Sequence, residues 1–212
     1  GENVLQNFKG YFNSDIDVTG TFYKPIFEGY INAVDSSFDV PYLGLRYGFI
    51  DDPTFTLNNQ TININDFTLN EKKSNTSGIM SGKISHNRLK DWFLDFKIES
   101  KNLLALNTKS SENEYYYGTG FLNGSAYFIG PGKDLDIEIN GTTQENTKII
   151  IPIRYGDGLD QLSYLTFKDN NNGSTTNLVN QGLEVFLNMN INKNAEIEII
   201  FDEKTGSKIS GL

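Results

Sequence analysis

His86 is the only histidine in 212 residues, so any Ser-His-Asp relay would depend on it alone. It sits between Ser85 and Asn87 in a predicted turn, and no Gly-x-Ser-x-Gly elbow is present to hold a nucleophile. Two carboxylate pairs, Asp51/Asp52 and Asp15/Asp17, have the residue types of a glycosidase. Neither comes with the separation or raised pKa that the chemistry needs, and solvated turn or strand-face carboxylates explain both. Asp169-Asn-Asn-Asn-Gly-Ser echoes a calcium loop but lacks the alternating acids and the distal bidentate Glu. With zero cysteines there is no thiolate metal site and no disulfide scaffold. The chain reads as a non-enzyme with no cofactor and no metal site.

Composition narrows the partners. A formal charge of −9 argues against the basic stripe that phosphate-backbone binding requires and against docking on anionic lipid headgroups, so no nucleic acid is expected. A hydrophobic content of 37% over this length is enough for a sizeable core. No run of eighteen apolar residues appears, so no segment reads as a transmembrane helix. The Asn-x-Ser/Thr triplets, such as Asn59-Gln-Thr, are read as Asn-rich turns.

The elements that would position any site are strands of period two. Ile16, Val18, Gly20 and Phe22 alternate with Asp15, Asp17, Thr19 and Thr21, and Ile62 and Ile64 alternate with Asn63 and Asn65 after an Asn58-Asn59-Gln60 turn. Trp92, Leu94, Phe96 and Ile98 oppose Phe93, Asp95, Lys97 and Glu99. Leu135, Ile137 and Ile139 oppose Asp136, Glu138 and Asn140. Ile149, Ile151 and Ile153 follow, then Leu183, Val185, Leu187, Met189 and Ile191. Last come Ala195, Ile197, Ile199 and Phe201, with Glu196, Glu198 and Asp202 on the opposite face. An extended chain sorts such side chains onto opposite faces of a sheet, one oily and one wet. Segments 70–77 and 169–177 read as exposed loops, and helix, if any, falls near Arg88–Trp92 or Asn177–Gln181. Gly10–Gly20 laid over Gly120–Gly130, with a third copy from Gly78, suggests repeated hairpins in which each unit contacts mainly its neighbours.

The segment Ala195-Glu-Ile-Glu-Ile-Ile-Phe-Asp-Glu-Lys-Thr-Gly-Ser-Lys-Ile-Ser-Gly211 resembles the C-terminal domain of the TamB family, subunits of the translocation and assembly module, in its Bacteroidetes-type form. The hairpin from Gly118 to Thr143, the Ile149-Ile-Ile-Pro-Ile strand and Tyr164-Leu-Thr-Phe resemble the same family. The resemblance covers 118–212, while 1–117 matches only in style. It implies one continuous unit over 1–212, part of a larger AsmA-like bridge protein. The implied fold is all-β, a curved, elongated, antiparallel-rich amphipathic sheet folded into an open trough. The trough would carry phospholipid or another acyl-chain lipid and support outer-membrane protein assembly. Its lining would be Leu135, Ile137, Ile139, Ile149, Ile151, Ile153, Leu183, Val185, Leu187, Met189, Ile191, Ile197, Ile199 and Phe201.

The resemblance further implies a periplasmic location, an inner-membrane anchor outside this fragment, and an outer-membrane barrel partner of the BamA type engaged beyond Leu212. On the residues alone, the same faces also fit the core of a closed β-sandwich. A carbohydrate-binding module stacking sugars on Tyr115-Tyr116-Tyr117 or Trp92, and a passive surface or structural β-solenoid, remain the functional alternatives.

Overall fold

A computed structural model of the chain describes residues 6–113, 116–131, 134–152, 174–180, 183–202 and 207–211. Among these the side chains of 174–185, 187, 201, 202 and 207–211 lie outside the description. Fourteen strands form one sheet. They are β1 (Gln6–Thr21), β2 (Lys24–Val40), β3 (Leu45–Phe49), β4 (Thr54–Asn59), β5 (Thr61–Glu71), β6 (Ser77–Asn87), β7 (Lys90–Thr108) and β8 (Tyr117–Pro131), followed by β9 (Leu135–Thr143), β10 (Lys148–Pro152), β11 (Ser174–Asn180), β12 (Leu183–Asn190), β13 (Glu196–Asp202) and β14 (Ser207–Gly211). The sheet does not close into a barrel and has the form of an open trough.

Helix is confined, among the described residues, to one 3₁₀ turn at Pro41–Leu43. The two places where helix was allowed differ: Arg88 and Leu89 form a hairpin turn with positive φ, and Asn177–Asn180 belongs to β11. Hairpin pairing, β6 with β7 and β11 with β12, overrides the weak helical patterns there. The expected loop over 70–77 shrinks to the turn between Glu71 and Ser77, because Asn70 pairs with Ser77.

Long strands turn a corner partway along their length, and short strands come in pairs that do the same. β2 pairs through its first half with β4 and through its second with β3. β5 takes up the far edges of both. β8 likewise pairs with β9 along Leu122–Ile129 and with β10 along Tyr117–Thr119. The sheet therefore has two walls meeting at a crease. Bulges and left-handed residues make the bends, with Asp35 and Asp66 at φ near +50° and register shifts in β5 and β7.

Polar groups stitch the crease from layer to layer. The Ala33 amide donates to the Pro53 carbonyl at 2.9 Å and the Ile50 amide to that of Thr68 at 2.9 Å. The Leu104 amide donates to Thr76 Oγ1 at 2.8 Å, that of Phe121 to Thr147 Oγ1 at 3.0 Å, and that of Asn192 to Thr143 Oγ1 at 2.8 Å. Bent strands lose ladder bonds, and these Thr hydroxyls satisfy the amides left over.

The last two layers are different in kind. β9 pairs in parallel with β12, Leu135 beside Leu183 through Thr142 beside Asn190. β10 pairs in parallel with β13, Lys148 beside Glu196 through Pro152 beside Ile200. Both ladders have an offset of 48 residues, as do the Lys148–Glu196 ion pair and the Asn140–Asn188 amide bond. A strand-corner-strand unit is stacked in register upon a second copy of itself.

Candidate functional site

Residues opposed in a ladder project to the same face, so the registers trace rows across the sheet. One runs Ile16, Gly29, Leu57, Ile62, Ile84, Leu94, Gly130 through seven strands. A second runs Ile64, Gly82, Phe96, Phe128, Ile137, and a third Phe67, Met80, Ile98, Ala126, Ile139. No polar side chain interrupts them. Phe96 and Phe128 stack with ring centroids 4.8 Å apart.

The opposite face carries Lys83, Asp95, Lys97, Glu99 and Glu138. Lys83 pairs with Asp95 at 3.5 Å and Lys97 with Glu99 at 2.7 Å. The Glu99 hydrogen bond, above all, raises the Lys97 pKa. These exposed pairs contribute little stability, but they keep the outer face in water.

The apolar face is concave. β3 and β7 are not neighbours in the sheet, yet Leu45 and Tyr47 share a buried cluster with Leu69, Leu103 and Leu104, and the Tyr47 hydroxyl donates to the Leu104 carbonyl at 2.8 Å. Burial pushes the Tyr47 pKa well above its ordinary value, with the Glu71 carboxylate adding to the shift. Along the crease Ala33, Ile64, Thr143 and Ala195 are at 2% exposure or less. Exposure rises up the walls: Leu57, Ile62, Ile84, Leu94, Phe96, Phe128, Ile137 and Ile139 are only half-buried. A second sheet packed on this face would have buried them.

The expected lining residues fall as follows. Ile137 opposes Phe128, and Ile139 opposes Ala126. Ile149 lies opposite Gly118, and Ile197 and Ile199 lie beside Ile149 and Ile151. Ile137, Ile139, Ile149, Ile151 and Ile197 are half-buried, and Ile199 and Leu135 are buried. Met189 stands beside Gly141 and is half-buried. Ile191 lies past the end of β12 in the corner and is exposed. For Leu183, Val185, Leu187 and Phe201 only the backbone is described, the first three beside Leu135, Ile137 and Ile139. Ile153 and Asp169–Gly173 lie outside the described residues, as do Glu114 and Tyr115.

One carboxylate departs from expectation. Glu198, read from the alternation as a wet-face residue, is buried at 8% exposure, with Ile150 of β10 and Ser210 of β14 as its ladder neighbours. Sequence reasoning also placed the lining only from Leu135 onward. Leu57, Ile62, Ile84, Leu94, Phe96 and Phe128 continue the same rows, and their period-two pattern was the signal that marks them.

The residues with chemical potential occupy structural roles. His86 is buried, its Nδ1 accepts the Leu89 amide at 3.1 Å, and its ring lies between Phe27 and Trp92 at 5.6 and 4.8 Å. Burial lowers its pKa. Asp51 and Asp52 are exposed turn residues with positive φ, and Asp52 Oδ1 accepts the Asp35 amide at 2.9 Å. Asp15 and Asp17 are exposed on the polar face of β1. Among the described residues no group of acids and histidine could hold a metal ion, and no helix is long and apolar enough to cross a membrane.

A sequence profile of the TamB C-terminal domain matches residues 60–211, from the start of β5 nearly to the end of the chain. The chain belongs to the TamB family. The match begins far upstream of Gly118 and covers β5 to β8 as well as the strands after them. No curated protein and no solved structure matches. TamB proteins are periplasm-spanning envelope proteins with a role in the translocation and assembly module.

Proposed function

We propose that this TamB segment is part of a bridge whose concave apolar face carries the acyl chains of lipids, phospholipid first among them, between the inner and outer membranes. The same bridge supports outer-membrane protein assembly, with a BamA-type barrel as partner of the longer protein. The observation that carries the reading is the set of unbroken apolar rows left half-exposed on one side of a single-layer sheet. A soluble protein rarely leaves so large an apolar surface uncovered unless something is bound there. An acyl chain gains about 0.8 kcal/mol per buried methylene, and rows that repeat from strand to strand hold it without a fixed polar site, so it can slide.

The lining proposed is the original set from Leu135 to Phe201, extended by Leu57, Ile62, Ile84, Leu94, Phe96 and Phe128. The test is mass spectrometry of lipid copurified with the gently isolated TamB chain. Acyl lipid is expected, lost on mild detergent exchange and regained from vesicles. A chain that emerges lipid-free and takes up none from vesicles overturns the reading.

A further inference from the structure

One rim of the trough is apolar at its tips and on both of its faces. Three hairpin tips converge there: Thr21–Lys24 between β1 and β2, Asn59–Gln60 between β4 and β5, and Asn87–Lys90 between β6 and β7. Gln60 fastens them. Its Nε2 donates to the Pro25 carbonyl, its Oε1 accepts the Arg88 amide at 2.7 Å, and its own carbonyl accepts the His86 amide at 2.9 Å. The β1–β2 hairpin continues from Thr19 opposite Ile26 to Thr21 opposite Lys24, past the last β4 pair at Phe27 and Asn59. At roughly 3.3 Å per residue its tip stands about 10 Å clear. Phe22 and Tyr23 on that tip are 91% and 77% exposed, and Leu89 on the β6–β7 tip is 57% exposed. Behind them Val18 and Trp92 are exposed on the inner face, and Ile26, Phe93 and Ile129 on the outer face.

Leu89 is also held against its own backbone preference. Arg88 and Leu89 are the central pair of a two-residue turn, with φ +52° and +60°. Such a turn favours Asn-Gly, and a bulky residue in the left-handed region is an outlier. Side chains prop it from below: Gln60 Oε1 takes the Arg88 amide, and His86 Nδ1 takes the Leu89 amide at 3.1 Å. A strained turn supported in this way, with a leucine exposed at its apex, points to a contact made by that leucine. A folded partner covers one face of a hairpin, whereas tips that are apolar at the apex and on both faces fit a medium that surrounds them. The interface of a lipid bilayer is such a medium: Tyr and Trp prefer its level, and Lys and Arg beside them reach back to water. Lys24, Arg88 and Lys90 share this edge with the acids Glu28, Asp91 and Asp134, all of them exposed. Insertion of apolar side chains, rather than net charge, must therefore carry the contact.

We propose that this rim docks on the surface of a lipid bilayer, with Phe22, Tyr23 and Leu89 inserted at the interface. The contact is separate from the acyl-chain reading above, which concerns the interior of the trough.

The test is sedimentation of the purified 212-residue chain with sucrose-loaded vesicles of phosphatidylcholine, a zwitterionic lipid. The chain should bind, and high salt should change the binding by less than about twofold. F22S/Y23S/L89G should lower the partition coefficient roughly tenfold or more, while Ile139→Asp in the trough leaves it unchanged. R88N/L89G should weaken binding and at the same time raise the melting temperature by about 2 °C or more, because Asn-Gly is at ease in this turn. Trp92 is the only tryptophan. In F22W/W92F the single indole should therefore shift to the blue on vesicles and be quenched by phosphatidylcholine brominated in its acyl chains. A chain that stays in the supernatant, or a triple tip variant that binds like the wild type, would overturn the docking and leave the trough reading standing. Binding lost in Ile139→Asp but kept in the tip variant would move the vesicle contact into the trough and overturn the rim. A lower melting temperature in R88N/L89G would show that Leu89 serves the fold and would remove the argument from strain. Tip-dependent self-association without vesicle binding would make the partner a second copy of the chain and refute the bilayer.

Discussion

Replacing Ile139 with Asp separates a groove from a core, because the two predict different costs. Ile139 is half-buried on the concave face, opposite the small Ala126. In an empty trough its carboxylate stays hydrated. The loss is then about half the burial value of an isoleucine, on the order of 1 kcal/mol, plus up to about 1 kcal/mol for the weak strand propensity of Asp. At roughly 2–4 °C per kcal/mol for a chain of this size, the melting temperature falls by about 2–8 °C. An acyl chain crossing the same position strips water from an unpaired carboxylate at a cost of several kcal/mol. Lipid occupancy there should fall more than about a hundredfold. The control is Glu138→Lys, exposed on the outer face one residue away; Glu198 is unsuitable because it is buried. Three readouts are needed: thermal melting and copurified lipid on the 212-residue chain, and outer-membrane permeability in cells carrying the full-length variant. The expected pattern is a small melting shift with lost lipid and a leaky envelope, and a silent control. Collapse of the fold by Ile139→Asp would mean a closed core. A folded variant with normal lipid and a normal barrier would refute the conduit.

Three further outcomes follow from the geometry. Tyr47 holds its proton above the ordinary tyrosine range when folded, while the unfolded chain releases it near pH 10; stability should therefore fall as pH rises above about 10. Tyr47→Phe should flatten that limb in alkaline melts and cost about 1–3 kcal/mol at neutral pH, because the Leu104 carbonyl loses its donor. His86 has the opposite sign: its folded pKa lies below the unfolded value of about 6.5, so stability should decline as pH drops below about 6.5. His86→Phe, which preserves the ring between Phe27 and Trp92, should remove that contribution in melts between pH 7 and 5.5. Gly124 has φ +155°, and a Cβ there would overlap the Asn140 carbonyl of the neighbouring strand. Gly124→Ala should destabilise the fold, seen as a lower denaturation midpoint, despite the roughly 0.5–1 kcal/mol by which alanine is ordinarily favoured over glycine inside a strand.

The faces of the sheet were legible from the sequence because period two is a local property. Trp92, Leu94, Phe96 and Ile98 could be set against Asp95, Lys97 and Glu99 without knowing any partner strand. What local pattern does not contain is which strands meet. The crease is an example: Asp35, Asp66 and the Gln144–Thr147 turn read as scattered polar residues, and only pairing shows them in one line. The burial of Glu198 was missed for the same reason. Its alternation matches that of Glu196, which is half-buried and paired with Lys148, whereas Glu198 stands beside Ile150.

The stacked layers at the C-terminal end show the limit most clearly. The repeat visible in sequence, Gly10–Gly20 over Gly120–Gly130, marks the outgoing strands of two antiparallel hairpins, β1–β2 and β8–β9. Turns announce antiparallel pairs, so glycine spacing finds them. The 48-residue repeat has no such marker, because residues 153–182 intervene between its copies. Yet Leu135/Leu183, Asn140/Asn188, Asn146/Asn194, Ile149/Ile197 and Ile151/Ile199 are identical at that spacing. Three of the five are aliphatic residues of the proposed lining, and Asn140 with Asn188 forms an amide ladder at 3.0 Å on the outer face. In-register parallel stacking places like beside like, so identity at the offset directly extends both the apolar row within and the amide row without. In the proposed conduit, such copies would offer successive lipid positions the same surface. The apolar face thereby continues across layers whose hydrogen-bonding pattern has changed from antiparallel to parallel.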